Sequence, residues 1–394
     1  MQSTRPEFSK HWLLLLALLS ALGPLSIDLY LPALPAMAQD LSTTTAMVSN
    51  SLPAYFLGLA LGQLVYGPLS DRIGRKPPLY FGLSVYILAS LLCVYADSAW
   101  QLIIARVLQA LGGCVGVVIA RAAIRDRYDL DAAAQAFAQM MMVVTIAPIM
   151  APALGALILH FLPWQALFIV LMLTGIISLI YVHFGFSESL PIERRLQLNF
   201  NQVLQLYAAV LRDLNFIWPM LIGACSSGVM FCYISASAEV LMDGYGLSEA
   251  VFSYVFGLNA VGILIFSTLN KYLAQHTALR RLTMGCWVQS TGIGLLLICA
   301  VIKAPLMLVL VGLFFTVAGI GLVGPNAMAL AMSKQGSRAG TASAVMGSMQ
   351  FFCGLLAGAL LNLLFWQPLL NMAVLMVLMI SLVHFSTAQY RKTI

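Results

Sequence analysis

The scarcest side chains in this sequence are the ones whose chemistry matters most. Asp28 stands alone in Pro24-Leu25-Ser26-Ile27-Asp28-Leu29-Tyr30-Leu31-Pro32. A carboxylate in so apolar a run can take up and release a proton as its surroundings alternate between wet states, or can meet a cationic solute. Arg106 opens Arg106-Val107-Leu108-Gln109-Ala110-Leu111-Gly112-Gly113. An arginine near the middle of a membrane helix costs roughly 2.5–3.5 kcal/mol on insertion scales, so it needs a wet cavity, a partner or a path to the surface. An ion pair with Asp28 is one such partner. A third group, Gly67-Pro68-Leu69-Ser70-Asp71-Arg72-Ile73-Gly74-Arg75-Lys76-Pro77, places an acid and three bases between glycines that allow a tight reversal. Asp126, beyond the fourth apolar run, is a candidate partner for Arg75.

Other chemistries lack their residues. The five histidines never take metal-ligand spacing, and neither H-E-x-x-H nor G-x-x-x-x-G-K-[ST] occurs. The seven cysteines all lie in apolar stretches, without a C-x-x-C pair and in odd number, which suggests neither a disulfide frame nor a metal site. The sequence therefore predicts no metal and no cofactor, and ATP is not the direct energy source unless a partner subunit supplies it.

Those few charges must be positioned by membrane helices. Of 394 residues 61% are hydrophobic and only 9% charged, with mean hydropathy +0.94; soluble proteins carry about 25% charge. Apolar runs of roughly 20 residues, enough to span a bilayer, fall near 12–33, 48–69, 78–96, 100–120, 134–160, 164–186, 214–240, 249–273, 281–301, 305–330, 339–364 and 367–388. The first run continues through Asp28 to Pro32, unlike a short leader with a small-residue cleavage site, and is read as a span. The net charge of +6 is a topology signal rather than a nucleic-acid footprint. Eighteen of the 20 Lys and Arg fall in alternate loops or at the termini, with Lys303 on the other side and Arg106 inside a span. This places both termini in the cytoplasm. The polar stretch 187–213 divides the chain into bundles 1–186 and 214–394. Its later part spaces Val203, Leu206, Tyr207 and Val210 as in an amphipathic helix on the cytoplasmic face, the alternative being an ordinary polar linker of partial helicity.

Four strings resemble the major facilitator superfamily. The Gly67–Pro77 string is similar to its G-x-L-a-D-r-x-G-r-k signature. Arg106-x-x-Gln109 is similar to its helix-4 motif. Pro148-Ile149-Met150-Ala151-Pro152-Ala153-Leu154-Gly155 resembles the antiporter motif of its drug-exporting branch, with alanines replacing glycines at 147, 151 and 156. Most specifically, Pro24-Leu-Ser-Ile-Asp28-Leu-Tyr30-Leu-Pro-Ala-Leu-Pro35 looks like the Bcr/CflA drug-resistance branch, and Asn259, Pro325-Asn326 and Ala339–Gln350 continue that likeness. The resemblance implies an all-α membrane protein of twelve helices in two pseudo-symmetric six-helix bundles. It also implies proton-coupled export of small molecules from the bacterial cytoplasm.

In that scheme Asp28 exchanges proton for substrate and Arg106 biases its proton affinity. Tyr30, Gln109, Asn259, Asn326 and Gln350 line the cavity. Gly67, Asp71, Arg72, Gly74, Arg75, Lys76 and Asp126 form a cytoplasmic gate, with Asp71 aimed at the start of helix 11, and Pro148, Pro152 and Gly155 shape helix 5. Glu239 departs from the branch's pattern and is either a second cavity acid or a solvated helix end. The expected partners are a small molecule, protons and membrane lipid, without nucleic acid, around a monomer. Within the same fold, a carrier of one metabolite such as a purine or amino acid is the nearest alternative. An enzyme would need a convergent nucleophile, metal or acid pair, and a channel a continuous polar lining.

Overall fold

The structure, a computed structural model, describes residues 10–128, 130–195, 200–361, 363–364 and 366–393, among which no strand occurs. The first six membrane helices are α1 (Lys10–Asp28), α2 (Ser51–Ile73), α3 (Lys76–Val94), α4 (Ala99–Arg127), α5 (Leu130–Phe161) and α6 (Gln165–Gly185). The second six are α7 (Leu214–Ala238), α8 (Glu249–Tyr272), α9 (Ala278–Ile302), α10 in two pieces (Leu306–Ala318 and Ile320–Met332), α11 (Ala339–Leu361) and α12 (Pro368–Thr393). Eleven are long and apolar enough to cross a membrane, and the remaining one, α5, contributes the described apolar helix Ile146–Phe161. Side-chain caps set several starts: Ser98, Asp213, Ser248 and Thr277 each accept a backbone N–H from the first turn of α4, α7, α8 and α9. Twelve crossings return the chain to its starting side. The start of α1, the end of α12 and the described residues of the linker between α6 and α7 thus share one face, the terminal face, opposite the far face.

The helix carrying Asp28 is interrupted. Pro24 lies inside α1, which ends at Asp28, and a 3-10 turn (Leu31–Ala33) and a short helix (Leu34–Asp40) continue the crossing, with prolines at the start of each. A proline removes one backbone donor and crowds the preceding turn, so the Pro32-x-x-Pro35 run interrupts the rod. The carboxylate sits at that break.

Glycines of α4 and α2 let α4 approach three neighbours. A Cβ at Gly112 would strike the backbone of α3 at Tyr86, one at Gly116 the Leu19 carbonyl of α1, and one at Gly58 of α2 the Val107 carbonyl. Between the bundles, α2 packs on α11 and α5 on α8. The second helix of each bundle therefore meets the fifth of the other, as a two-fold pseudo-axis requires.

The linker helix Phe200–Leu211 has the expected amphipathic pattern, but its apolar stripe is seated on protein rather than on lipid. Val210 is fully buried with Phe216 and Met220 of α7, Ala331 of α10, and Ala342 and Val345 of α11. Tyr207 donates to the Leu64 carbonyl of α2 at 2.8 Å, so the helix covers the α2–α11 seam.

Candidate functional site

A cavity of about 330 Å³ lies between the bundles. Asp28 of α1, Gln63 of α2, Arg121 of α4, Tyr233 of α7, Asn259 of α8 and Gln350 of α11 reach it, and Met230, Phe231, Phe256 and Phe351 make much of the rest apolar. Asn259 donates to the Tyr233 hydroxyl at 2.9 Å, and the Tyr233 and Phe256 rings stack with centroids 5.5 Å apart. Asp28 is only 4% exposed, and its carboxylate has no hydrogen-bond or ion-pair partner among the described residues. The far side is sealed. Ser253 of α8 donates to the Pro152 carbonyl of α5 at 2.9 Å. Gly155 lies against the Leu29 backbone, and Gly354 and Gly358 of α11 lie against Phe56 and Pro53 of α2. Pro148 reaches the cavity wall itself.

The alternative of a structural ion pair between Asp28 and Arg106 does not hold among the described residues. Arg106 is fully buried, which also excludes snorkelling, and it lies in a separate polar box. Its guanidinium donates to the Ser26 carbonyl at 2.7 Å and to the Gln109 side chain, and its carbon is 4.1 Å from the Tyr55 ring centroid and 4.5 Å from that of Tyr30. Gln109 in turn donates to Ser90 at 2.7 Å, Ser26 shares a 2.8 Å bond with Tyr86, and Tyr30 shares one of 2.8 Å with Ser51. Aromatic faces and a carbonyl, rather than a carboxylate, hold this charge.

Four of the expected cavity residues are therefore placed elsewhere. Tyr30 and Gln109 face Arg106. Asn326 donates to the Asn270 side chain at 2.9 Å and to the Leu322 carbonyl, on the terminal side of α8 and α10. Glu239 begins the π-helical turn Glu239–Gly244, where α7 ends at the far face, and does not reach the cavity. Asn259 and Gln350 do line it. Sequence reasoning missed Gln63, Tyr233, Arg121 and the aromatic wall, which lie in helices where an aromatic or a helix-end arginine carries no signal of its own.

On the terminal face Arg75 gathers the acids. It donates to Asp71 at 2.6 Å, to Ser70 at 2.8 Å, and to both carboxylate oxygens of Asp126 at 2.8 and 3.1 Å. These are the ion pairs among the described residues. Gly74, with φ +98°, makes the reversal alone; Gly67 lies inside α2 facing open space and takes no part in it. Arg72 points to solvent, and Lys76 reaches the His183 carbonyl at 3.3 Å. Asp71 shares a narrow space with Gly340 and Thr341 of α11, Arg125 of α4 and Tyr207 of the linker helix, but its bonded partner is Arg75 within its own bundle.

Glu188 went unnoticed in the sequence. It accepts the backbone N–H groups of Arg75 at 2.9 Å, Lys76 at 3.1 Å and Leu190 at 3.0 Å, capping α3 from the linker. Partial burial pushes its carboxyl upward, but those three donors and the Arg195 charge outweigh it and hold the group below its ordinary value. Burial, with the Asp71 charge adding to it, pushes the Tyr207 phenol up to about 12, so it remains a donor to Leu64.

Residues 16–358 match the family model for the Major Facilitator Superfamily. The chain belongs to that superfamily. It is 33% identical over 355 residues to the uncharacterized MFS-type transporter YdgK of Bacillus subtilis, covering 89% of this chain and 88% of that one. It is 29% identical over 350 residues to a bicyclomycin resistance protein homolog of Haemophilus influenzae, with the same coverage. Against multidrug resistance protein D of Escherichia coli it is 31% identical over 354 residues, 86% of this chain and 85% of the relative. These relatives bear out the likeness to the Bcr/CflA branch. Among solved structures the fold matches a D-xylose-proton symporter with TM-score 0.72 at 14% identity, covering 95% and 96% of the two chains. It also matches the nucleoside transporter NupG with TM-score 0.69 at 12% identity, covering 97% and 99%. The protein is a multi-pass secondary transporter of this superfamily, and its relatives are carriers rather than enzymes.

Proposed function

We propose that this transporter exports drugs or other small molecules across the bacterial inner membrane by alternating access, exchanging them for protons, with both termini in the cytoplasm. The observation that carries this reading is Asp28. It is the lone carboxylate among the described residues of the cavity wall, placed at a helix break and free of any protein partner. A carboxylate so placed is available to a proton in one half of the cycle and to solute in the other, whereas a paired acid would be silenced. The drug-resistance names of relatives near 30% identity support export, and the excess of basic residues supports the assignment of the terminal face to the cytoplasm.

The sealed far side and the cavity reaching toward Arg121 fit a state that receives solute from the cytoplasm. Each proton entering down 100 mV contributes roughly 2.3 kcal/mol, enough for more than a tenfold gradient of a neutral solute. The test is flux in proteoliposomes under an imposed pH gradient, with solutes chosen from a drug and metabolite susceptibility panel. Asp28→Asn is expected to abolish gradient-driven flux while the protein keeps its thermal stability. Wild-type flux in that variant would overturn the assignment.

A further inference from the structure

The cavity holds a second charge that the proposed cycle leaves unused. Among the described residues, Asp28 and Arg121 are the charged side chains lining it, and they are of opposite sign. Neither has a hydrogen-bond or ion-pair partner among the described residues. Arg121 is half-buried and stands where the cavity meets the narrow space on the terminal side, with Arg125 as its neighbour there.

Their separation follows from the helices. The Leu19 carbonyl of α1 lies against Gly116 of α4. From that level Asp28 is nine residues toward the far face and Arg121 five residues toward the terminal face. At 1.5 Å per residue the two backbones are on the order of 20 Å apart along the helices. The side chain of Arg121 leans toward the N-terminus of α4, back into the cavity, which brings the charges to roughly 15 Å. Met230, Phe231, Phe256 and Phe351 line the same cavity.

We infer that the cavity selects elongated dipolar solutes, with an amine bound at Asp28, an acidic group at Arg121 and an apolar or aromatic spacer between. This rests on the reading of the cavity as the solute site. A simple lipophilic cation satisfies Asp28 but leaves Arg121 unmatched, and a simple acid does the reverse. A short zwitterion cannot reach both. A long one fills both contacts, each charge finding the opposite charge that the protein itself withholds.

The experiment uses the full-length transporter in lipid nanodiscs and measures binding by calorimetry without a proton gradient. The probes are 4′-(aminomethyl)biphenyl-4-carboxylate, the matching biphenyl amine and biphenyl acid, and the short zwitterion 4-(aminomethyl)benzoate. Wild-type protein is expected to bind the long zwitterion about tenfold more tightly than any of the other three, the size of one charge-assisted contact. Arg121→Gln should erase the preference over the amine while leaving the amine's own affinity within about twofold, and Arg121→Lys, which keeps the charge, should retain most of it. A wild-type protein that binds amine and long zwitterion equally, or a preference that survives in Arg121→Gln, would overturn the inference. Because no gradient is applied, absence of proton-coupled flux would defeat the transport cycle and leave this binding result standing.

Discussion

At the scale of single residues, Asp28 and Arg106 were legible because each is a charge inside an apolar run, and hydropathy measures depth. What depth does not measure is rotation about the helix axis, so two charges that both lie deep need not meet, and these two face different pockets. Gln109 follows Arg106 by three positions, the spacing at which side chains on one helix face touch, and that spacing points to the bond observed. The bond explains why Gln109 serves the arginine rather than the solute. The box around Arg106 uses a guanidinium, which donates to Gln109 and the Ser26 carbonyl through two nitrogens while its carbon lies over the Tyr30 and Tyr55 rings. Lysine offers a point charge and cannot do both. Arg106→Lys should therefore lower stability by about 2–3 kcal/mol and cut gradient-driven flux more than tenfold, read by thermal unfolding and by proteoliposome uptake. A lysine variant equal to wild type in both measurements would show that charge alone suffices.

At the scale of elements, the spans were readable from length and apolarity, because every backbone group in a bilayer must be satisfied within its own segment. Interruptions were less readable. The prolines near Asp28 were visible, yet the string alone does not say that α1 ends at the carboxylate, since prolines within α2, α5 and α7 leave those helices continuous. Glu188 was unreadable for another reason: its ligands are backbone N–H groups, which every sequence has. Its effect can be measured through pH. A carboxyl held below its ordinary value of 4.5 contributes stability that is present above that value and lost as pH falls through the lowered one. The thermal advantage of wild type over Glu188→Gln should be complete near neutrality, shrink on acidification below the ordinary value, and vanish once Glu188 is protonated in the folded state. A gap that persists at every acid pH would assign the effect to packing instead.

For the whole molecule, the two-bundle architecture and the family were both legible, since alternation of basic loops and four separate strings agree. The expectation that Asp71 bridges the bundles is altered by geometry. Arg75 binds Asp71, Asp126 and, through its backbone, Glu188, so the strong contacts stay within the first bundle and its linker. Asp71 nevertheless borders the start of α11, where it meets the other bundle across a narrow space. In Asp71→Asn, Arg75 keeps Asp126 and Ser70, so the fold should persist. The carboxylate beside the partially positive helix start is lost, and with it, under the proposed alternating-access cycle, part of the contact between the bundles. Turnover should fall severalfold with solute affinity changed less than twofold, compared by flux and by equilibrium binding. Unchanged turnover would reduce the string to a topological role.

All seven cysteines are buried, which has a practical consequence for watching the molecule move. Native thiols hidden in helix packing react slowly with bulky maleimides and nitroxides, so reporters can be introduced without first stripping the protein of its sulfur. Tyr95 after α3 and Tyr254 at the start of α8 are 72% and 77% exposed, on the far face and in opposite bundles. A spin label on each turns opening of that face into a change of interspin distance, recorded in otherwise unaltered protein.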